Sequence, residues 1–496
     1  MSNGSTRREL LTTSGAAALF SAVPTTAQTQ PGGFAPISVR RTAGKDLFAE
    51  QPPLQWQPAG ARTDDAIVLD PTRTYQEMLG FGGALTDASA YLINQLDAPA
   101  REKLMHELYH PSELGMGVTR VCIGSSDFAT KMYSYDEGEP DPDLKRFSID
   151  QDKQYILPQL RMARKLNPEL FLLASPWSPP GWMKASGTML GGSLKPKNFG
   201  VYARYLVKFL KAYEAEGVPI DAITSQNEVD TDQDARMPAC VWAQEHEIVF
   251  VSQQLGPAIA ESKLKTRIWM LDHNWNLWGR VINSLEEPAF NKYIDGVAWH
   301  PYLGTIDAMS RVHDAFPDKH AYWTEGSFNS VGAFAAGGLA GAAPLASTDA
   351  PKREAVPPHI RIARGGALAA AAVRNWTRCF MLWNLVLDEN GNPNIGPFVH
   401  ARGTLTIDSK TREISRSTDY WVLKHYTHAA RRGSKRFASH GGGEAVAHAA
   451  FAHRDGSKVL VLSNVTGTDK PIQVRVGGMA TQVTAPAYSI TNLSWV

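Results

Sequence analysis

Two glutamates each close a short apolar run: Glu228 in Thr224-Ser225-Gln226-Asn227-Glu228 and Glu325 in Tyr322-Trp323-Thr324-Glu325-Gly326. Carboxylates delivered by strand ends can serve as acid and base, or as acid and nucleophile, when they face each other across a pocket. From position alone, structural salt bridges are the alternative. The neighbours point to a sugar. Asn227 is a neutral hydrogen-bonding residue suited to a hydroxyl, and Trp177 and Trp383 fall where predicted strands give way to loops. A pyranose has C–H faces that pack on an indole and hydroxyls that demand directional partners. Asp87 follows Gly82-Gly83 and either accepts from sugar hydroxyls or caps a helix over Ala88 to Leu96. His300 and Tyr302, in Trp299-His300-Pro301-Tyr302, can orient a carboxylate or bind a hydroxyl, with a structural histidine as the alternative. Arg120 lies inside a predicted strand, is costly to bury alone, and is expected to pair with an acid such as Glu325.

Positioning these residues takes a regular scaffold, and strand-then-helix alternation supplies one. The predicted strands are Leu79 to Ala84, Val118 to Ile123, Leu170 to Ala174, Ile220 to Gln226, Arg267 to Leu271, Gly296 to His300, Ala321 to Glu325 and Cys379 to Leu385. Between them, Asp152 to Leu166, Phe199 to Glu216 and Gln244 to Glu261 carry apolar residues at helical spacing, with charges opposite. Eight such units predict a (β/α)₈ TIM barrel, whose chemistry belongs at the C-terminal ends of its strands. A doubly wound open sheet is the competitor, but no Gly-x-Gly-x-x-Gly turn follows the first strand. Short β-prone runs bounded by turns lie before the barrel (Ile37 to Thr42, Ala66 to Pro71) and after it (Ala445 to Ala452, Lys458 to Asn464, Ile472 to Val476, Ser489 to Trp495). The first two are too few to form a domain, so both chain ends are expected to build one β-sandwich side domain. The divisions are an export signal and linker over 1–30, N-terminal sandwich strands over 36–76, the barrel over 77–424 and the remaining sandwich over 425–496. The Gly/Ala-rich Val331 to Ser347 reads as a long surface loop.

Fifty basic residues against forty-nine acidic ones leave a net charge of +1, which provides no overall field for nucleic acid or an anionic membrane. Cys122, Cys240 and Cys379 are too few and too scattered for a disulfide framework or a metal site, and are expected to be buried thiols. No metal motif is read, and no Gly-x-Ser-x-Gly elbow supports a serine hydrolase. At the N-terminus, Arg7-Arg8 precede Leu10-Leu11 and the apolar run Gly15 to Val23, followed by Thr25-Thr26-Ala27. That order predicts a twin-arginine export signal and a periplasmic or secreted protein without a transmembrane span.

Taken together, the stretches Gly80-Phe81-Gly82-Gly83-Ala84-Leu85-Thr86-Asp87, Gly124 to Phe128, Ala174 to Lys184, Asn227-Glu228, His300, Thr324-Glu325, Trp383-Asn384-Leu385 and Ala487 to Ile490 resemble glycoside hydrolase family 30, within it the glucosylceramidase group. The resemblance covers about residue 75 onward. It implies a retaining β-glycosidase on a (β/α)₈ barrel, without a cofactor, acting on a glycoside such as a glycolipid or β-glucan. Glu228 would be the acid/base and Glu325 the nucleophile, with carboxyls about 5 to 5.5 Å apart. Asp87, Trp177, Asn227 and Trp383 would hold the sugar, and His300, Tyr302 and Arg120 would support the pocket. The chain departs from the family pattern at Val229, where a proline is usual, and at Pro301, where a tryptophan is usual. It also departs from the animal lipid hydrolase in the loop Asp230 to Val241. These differences fall on the leaving-group side, so glucosylceramide, β-1,6-glucan, simple β-glucosides and β-xylosides all remain candidate substrates. A sugar-binding protein without catalysis is the alternative from another class.

Overall fold

Eight parallel strands close into a barrel in chain order: β1 (Gly80–Ala84), β2 (Val118–Ile123), β3 (Phe171–Pro176), β4 (Ala222–Thr224), β5 (Arg267–Asn274), β6 (Ile294–His300), β7 (His320–Trp323) and β8 (Thr377–Leu382), with β8 pairing back onto β1. The computed structural model describes residues 35–328, 356–399 and 401–496. The export signal and the loop expected at Val331 to Ser347 lie outside the described residues. Strand alternation sends Val118, Leu173, Ala222, Trp269, Ala298, Tyr322 and Met381 into the barrel, where they form one apolar cluster. The interior is therefore packed, with Trp269 stacked on Tyr322 at 3.6 Å. Gly82 is required by close approach: a Cβ there would lie 1.8 Å from the Val118 carbonyl oxygen.

The helix Phe199–Ala215 buries Phe199, Tyr202, Leu206, Phe209 and Tyr213 along one face, as its periodicity predicts. The helix expected over Asp152 to Leu166 is instead two pieces, Asp150–Lys153 and Ile156–Leu166. Pro158 explains the break, because it has no N–H to donate to Gln154 and its ring crowds that carbonyl. Released from the helix, Tyr155 turns its hydroxyl to within 2.7 Å of Asp87 Oδ2. The helix expected over Gln244 to Glu261 carries a π-helical segment, Val251–Leu255, ahead of Pro257, whose missing N–H has the same kind of effect.

Both chain ends meet in a second unit. Its ten strands run Asp46–Leu54, Ile37–Ala43, Ser489–Trp495, Lys458–Asn464, Val446–Ala452, Lys435–His440, Ile67–Glu77, Lys470–Val476, Met479–Ala485 and Gln57–Pro58. They fold as a β-sandwich whose core joins Ile37, Val39 and Leu493 to Ile472, Val474 and Val483. The boundary expected at 424/425 falls inside the helix Thr418–Ala429, which touches both units: Tyr426 packs on Phe81 of β1, while His425 bonds Thr42 and Asn492. A small sheet of Val386–Leu387, Leu405–Ile407 and Ile414–Arg416, unforeseen because its strands are so short, follows β8. The three cysteines are buried free thiols. No helix among the described residues is long and apolar enough to cross a membrane.

Candidate active site

The alternation that fills the barrel also builds its polar mouth. Two residues beyond Val118, Leu173, Ala222, Ala298 and Tyr322 come Arg120, Ser175, Thr224, His300 and Thr324, all fully buried. β5 joins them by breaking the pattern. Leu271 pairs with Ala298 and His273 with Trp299, which leaves Asp272 as the extra residue of a bulge. Leu271 and Asp272 take φ of 73° and 49°, left-handed values that re-aim Asp272 into the mouth. There Asp272 Oδ2 meets Arg120 Nη2 at 2.7 Å, Ser175 Oγ at 2.7 Å and Thr224 Oγ1 at 2.9 Å; Oδ1 meets Thr324 Oγ1 at 2.6 Å and His300 Nε2 at 3.0 Å.

Asp272 and Arg120 hold the two glutamates. Glu325 lies just past β7 and accepts from Arg120 Nη1 at 2.6 Å and from the Tyr302 hydroxyl at 3.0 Å. Glu228 lies four residues past β4, with a left-handed φ of 53° that costs about 1 kcal/mol or more. Backbone bonds fix that turn: Asn227 N–H donates to Pro176 O at 2.8 Å and Glu228 N–H to Asp272 O at 2.9 Å. His300 Nδ1 then stands 3.2 Å from Glu228 Oε1 and 3.8 Å from Glu325 Oε1, so one ring nitrogen faces both carboxylates.

The charges are set by burial and by each other. Burial alone would favour neutral His300, but Glu325, Asp272 and Glu228 push it up to about 9. Burial would raise Glu228, yet its neighbours His273, His300 and Arg120 outweigh it and hold its carboxyl below the usual range. Asp272 is likewise ionised despite burial, through Arg120, His300 and Thr324. Burial, with Glu325 and Glu228 nearby, drives Tyr302 well upward, so its hydroxyl keeps the proton that it donates to Glu325. Asp127 is raised well above the carboxylate range by burial and by the same two glutamates, and its Oδ1 has no hydrogen-bond partner.

All nine sequence-predicted residues gather around this mouth. Trp177 and Trp383 stack at 5.0 Å, with the Arg120 guanidinium 4.7 Å from the first ring and 5.5 Å from the second. Trp177 is only 2% exposed, so Trp383 is the ring left to meet a ligand. Asn227 accepts from Arg120 Nη2 at 2.6 Å. Asp87 does not cap its helix. Thr86 does, while Asp87 accepts from Thr130 N–H at 2.6 Å and from Tyr155. Sequence reasoning missed Asp272 and His273, both in Leu271-Asp272-His273-Asn274 at the end of the fifth strand, and gave no role to Asp127. An acid beside a histidine at a barrel strand end was the available signal.

A His-Glu-x-x-His pattern, His106 to His110, also escaped the reading that found no metal motif. It closes the helix Ala98–Tyr109; its rings stack at 4.3 Å, Glu107 is taken by Arg416 and Tyr420, and His110 by Ser112. No third ligand joins it among the described residues. A cavity of about 570 Å³ opens at the opposite end of the barrel, lined by His428, Arg431, Arg432, His453 and Arg454. That face carries stability in barrels of this kind.

A barrel whose C-terminal mouth holds two facing carboxylates beside an indole belongs, as a class, with the glycoside hydrolases. Residues 78–335 match the glycosyl hydrolase family 30 TIM-barrel domain and residues 433–493 that family's β-sandwich domain. The chain is a member of glycosyl hydrolase family 30. It is 30% identical over 421 residues to putative glucosylceramidase 4 of Caenorhabditis elegans, covering 80% of this chain and 76% of that protein. It is 28% identical over 458 residues to an endo-1,6-beta-D-glucanase of Neurospora crassa, covering 88% and 89%. The lysosomal acid glucosylceramidase of Mus musculus is 28% identical over 455 residues, covering 86% and 83%. A solved endo-β1,6-glucanase superposes with a TM-score of 0.80 at 26% identity, covering 93% of this chain and 99% of that one.

Proposed function

We propose that the protein is a retaining β-glucosidase of the glucosylceramidase type, with Glu325 as nucleophile and Glu228 as acid/base. The observation that carries this reading is the single nitrogen, His300 Nδ1, within 3.8 Å of a carboxylate oxygen from each glutamate. A pair held that close to one nitrogen is compatible with the ~5 to 5.5 Å spacing of retaining enzymes. Glu325, oriented by Arg120 and Tyr302, attacks the anomeric carbon. Glu228, with the proton it shares with His300 Nδ1, protonates the departing oxygen. Water, deprotonated by Glu228, then releases the sugar from Glu325. The depressed Glu228 carboxyl suits this second, basic step. Asp87, Asp127, Asn227 and Trp383 hold the sugar, with Trp177 backing the half-buried Trp383 indole.

The test is a pair of variants. Glu325→Gln is expected to abolish turnover of an aryl β-glucoside with the fold intact, and substantial remaining activity rejects the nucleophile. Glu228→Gln is expected to impair glucosides with poor leaving groups far more than activated ones, which do not need the proton; equal losses reject the acid. The similarity to endo-1,6-β-glucanases along almost the whole chain favours β-1,6-glucan as the second substrate reading. Product release from glucosylceramide, β-1,6-glucan and aryl glucosides and xylosides, measured side by side, decides among them, and glycan binding without product would identify a non-catalytic binder. Export through the twin-arginine route is part of the same reading and rests on Arg7-Arg8. Retention of an Arg7→Lys/Arg8→Lys double variant in the cytoplasm is the result it expects.

A further inference from the structure

His273 is buried, with 5% of its side chain exposed, and its Nδ1 has no hydrogen-bond partner. That nitrogen is aimed at Glu228 Oε1, 3.5 Å away, which His300 Nδ1 approaches from another side at 3.2 Å. The other nitrogen of each ring is taken by a carboxylate: His300 Nε2 by Asp272 at 3.0 Å and His273 Nε2 by Asp230 at 2.5 Å, with Thr231 Oγ1 at 3.1 Å. A carboxylate behind each imidazole fixes Nε2–H and turns both Nδ1 atoms toward Glu228, the outer arrangement found behind metal-bound histidines. A tetrahedral ion with bonds of about 2.1 Å spaces its ligand atoms about 3.4 Å apart. Two of the three separations here match that edge, and all three donors lie within 4.8 Å of one another.

We infer that Glu228, His273 and His300 form a binding site for a borderline divalent transition ion of the Zn²⁺ class, which occupies the acid/base glutamate and stops turnover. Two imidazoles and one carboxylate select such an ion over Mg²⁺ or Ca²⁺, which prefer all-oxygen shells. The ion displaces the hydrogen between His300 and Glu228, and one proton leaves to solvent. The half-exposed Asp230 side chain marks the way in. The donors come from the ends of three different strands, so no sequence spacing reveals them.

The test is calorimetric titration of the full chain with ZnCl₂ and, separately, MgCl₂ in a non-coordinating buffer. One Zn²⁺ site and no Mg²⁺ site are expected, with Zn²⁺ affinity falling about tenfold or more in His273→Gln. Absence of Zn²⁺ binding, or unchanged affinity in a folded His273→Gln, overturns the site. Should that variant fail to fold, Co²⁺ added to the unmodified protein decides: strong visible bands of a low-coordinate ion support the site, and a weak six-coordinate spectrum rejects it. The block to turnover rests on the glycosidase reading, and it is measured separately as EDTA-reversible inhibition competitive with an aryl glucoside. Binding without inhibition therefore counts against the role given to Glu228, and inhibition without binding at His273 counts against the site.

Discussion

Asp272 touches neither of the proposed reacting atoms, yet it orders both. It bonds Arg120, which holds Glu325, and His300, which faces Glu228. Removing its charge leaves Arg120 and His300 buried with one carboxylate fewer, and breaking a buried pair costs ~3 to 5 kcal/mol. Asp272→Asn is expected to lose stability of that order in thermal or denaturant unfolding. Its kcat/KM should fall roughly 10- to 100-fold, as when outer partners of a reactive group are removed. A variant with unchanged kcat/KM would reduce Asp272 to packing. The residues legible in the sequence are those that strands present by position: Glu325 and His300 at strand ends, and Arg120 within a strand, with its acid partner. Asp272 and His273 were hidden because a bulge inserts one residue in β5, and a shift of one residue exchanges the inward and outward faces. Asp127 was hidden for another reason. Its character comes from burial beside two glutamates distant in the chain.

At the scale of elements, close packing of the first two staves fixes where Arg120 emerges. With a Cβ forced to 1.8 Å from Val118 O, Gly82→Ala must part β1 from β2. A loss of several kcal/mol in denaturant unfolding is expected, beyond the ~1 to 3 kcal/mol of ordinary overpacking. Gly279→Ala is the control: no atom lies within 4 Å of its Cβ, and in the helix Trp278–Leu285 it should be neutral or stabilising by up to ~1 kcal/mol. All eight barrel strands were legible within a few residues, because buried parallel strands read as short apolar runs between helical periods. Periodicity predicts unbroken helices across Pro158 and Pro257, since apolar spacing continues across a proline while the hydrogen bonds do not. At Pro158 that break is useful, because it carries Tyr155 to Asp87.

For the whole molecule, the joint between barrel and sandwich is built on neutral histidine. His425 is held at about 3 by burial, which the bond to Asn492 only partly offsets. His428 and His448, at about 4, act in the same direction. Below the ordinary histidine value of about 6.5, the unfolded chain takes up protons that the folded one refuses. The stabilisation is complete above that pH and is lost as pH falls toward 3. For His425 alone this amounts to up to about 5 kcal/mol. Denaturant unfolding at several pH values should show stability dropping through this window, with a shallower slope in His425→Gln; parallel slopes would refute the assignment. That both ends of the chain share one sandwich was legible from the scarcity of N-terminal strands. The order of the ten strands was not, because alternation reports a strand's faces and not its neighbours. That order bears on how the protein is made. Ile37–Ala43, among the first strands synthesised, pairs with Ser489–Trp495, which emerges hundreds of residues later. Until then one edge of the early strand stays open on the nascent chain, a template for wrong partners that a holding chaperone would have to cover.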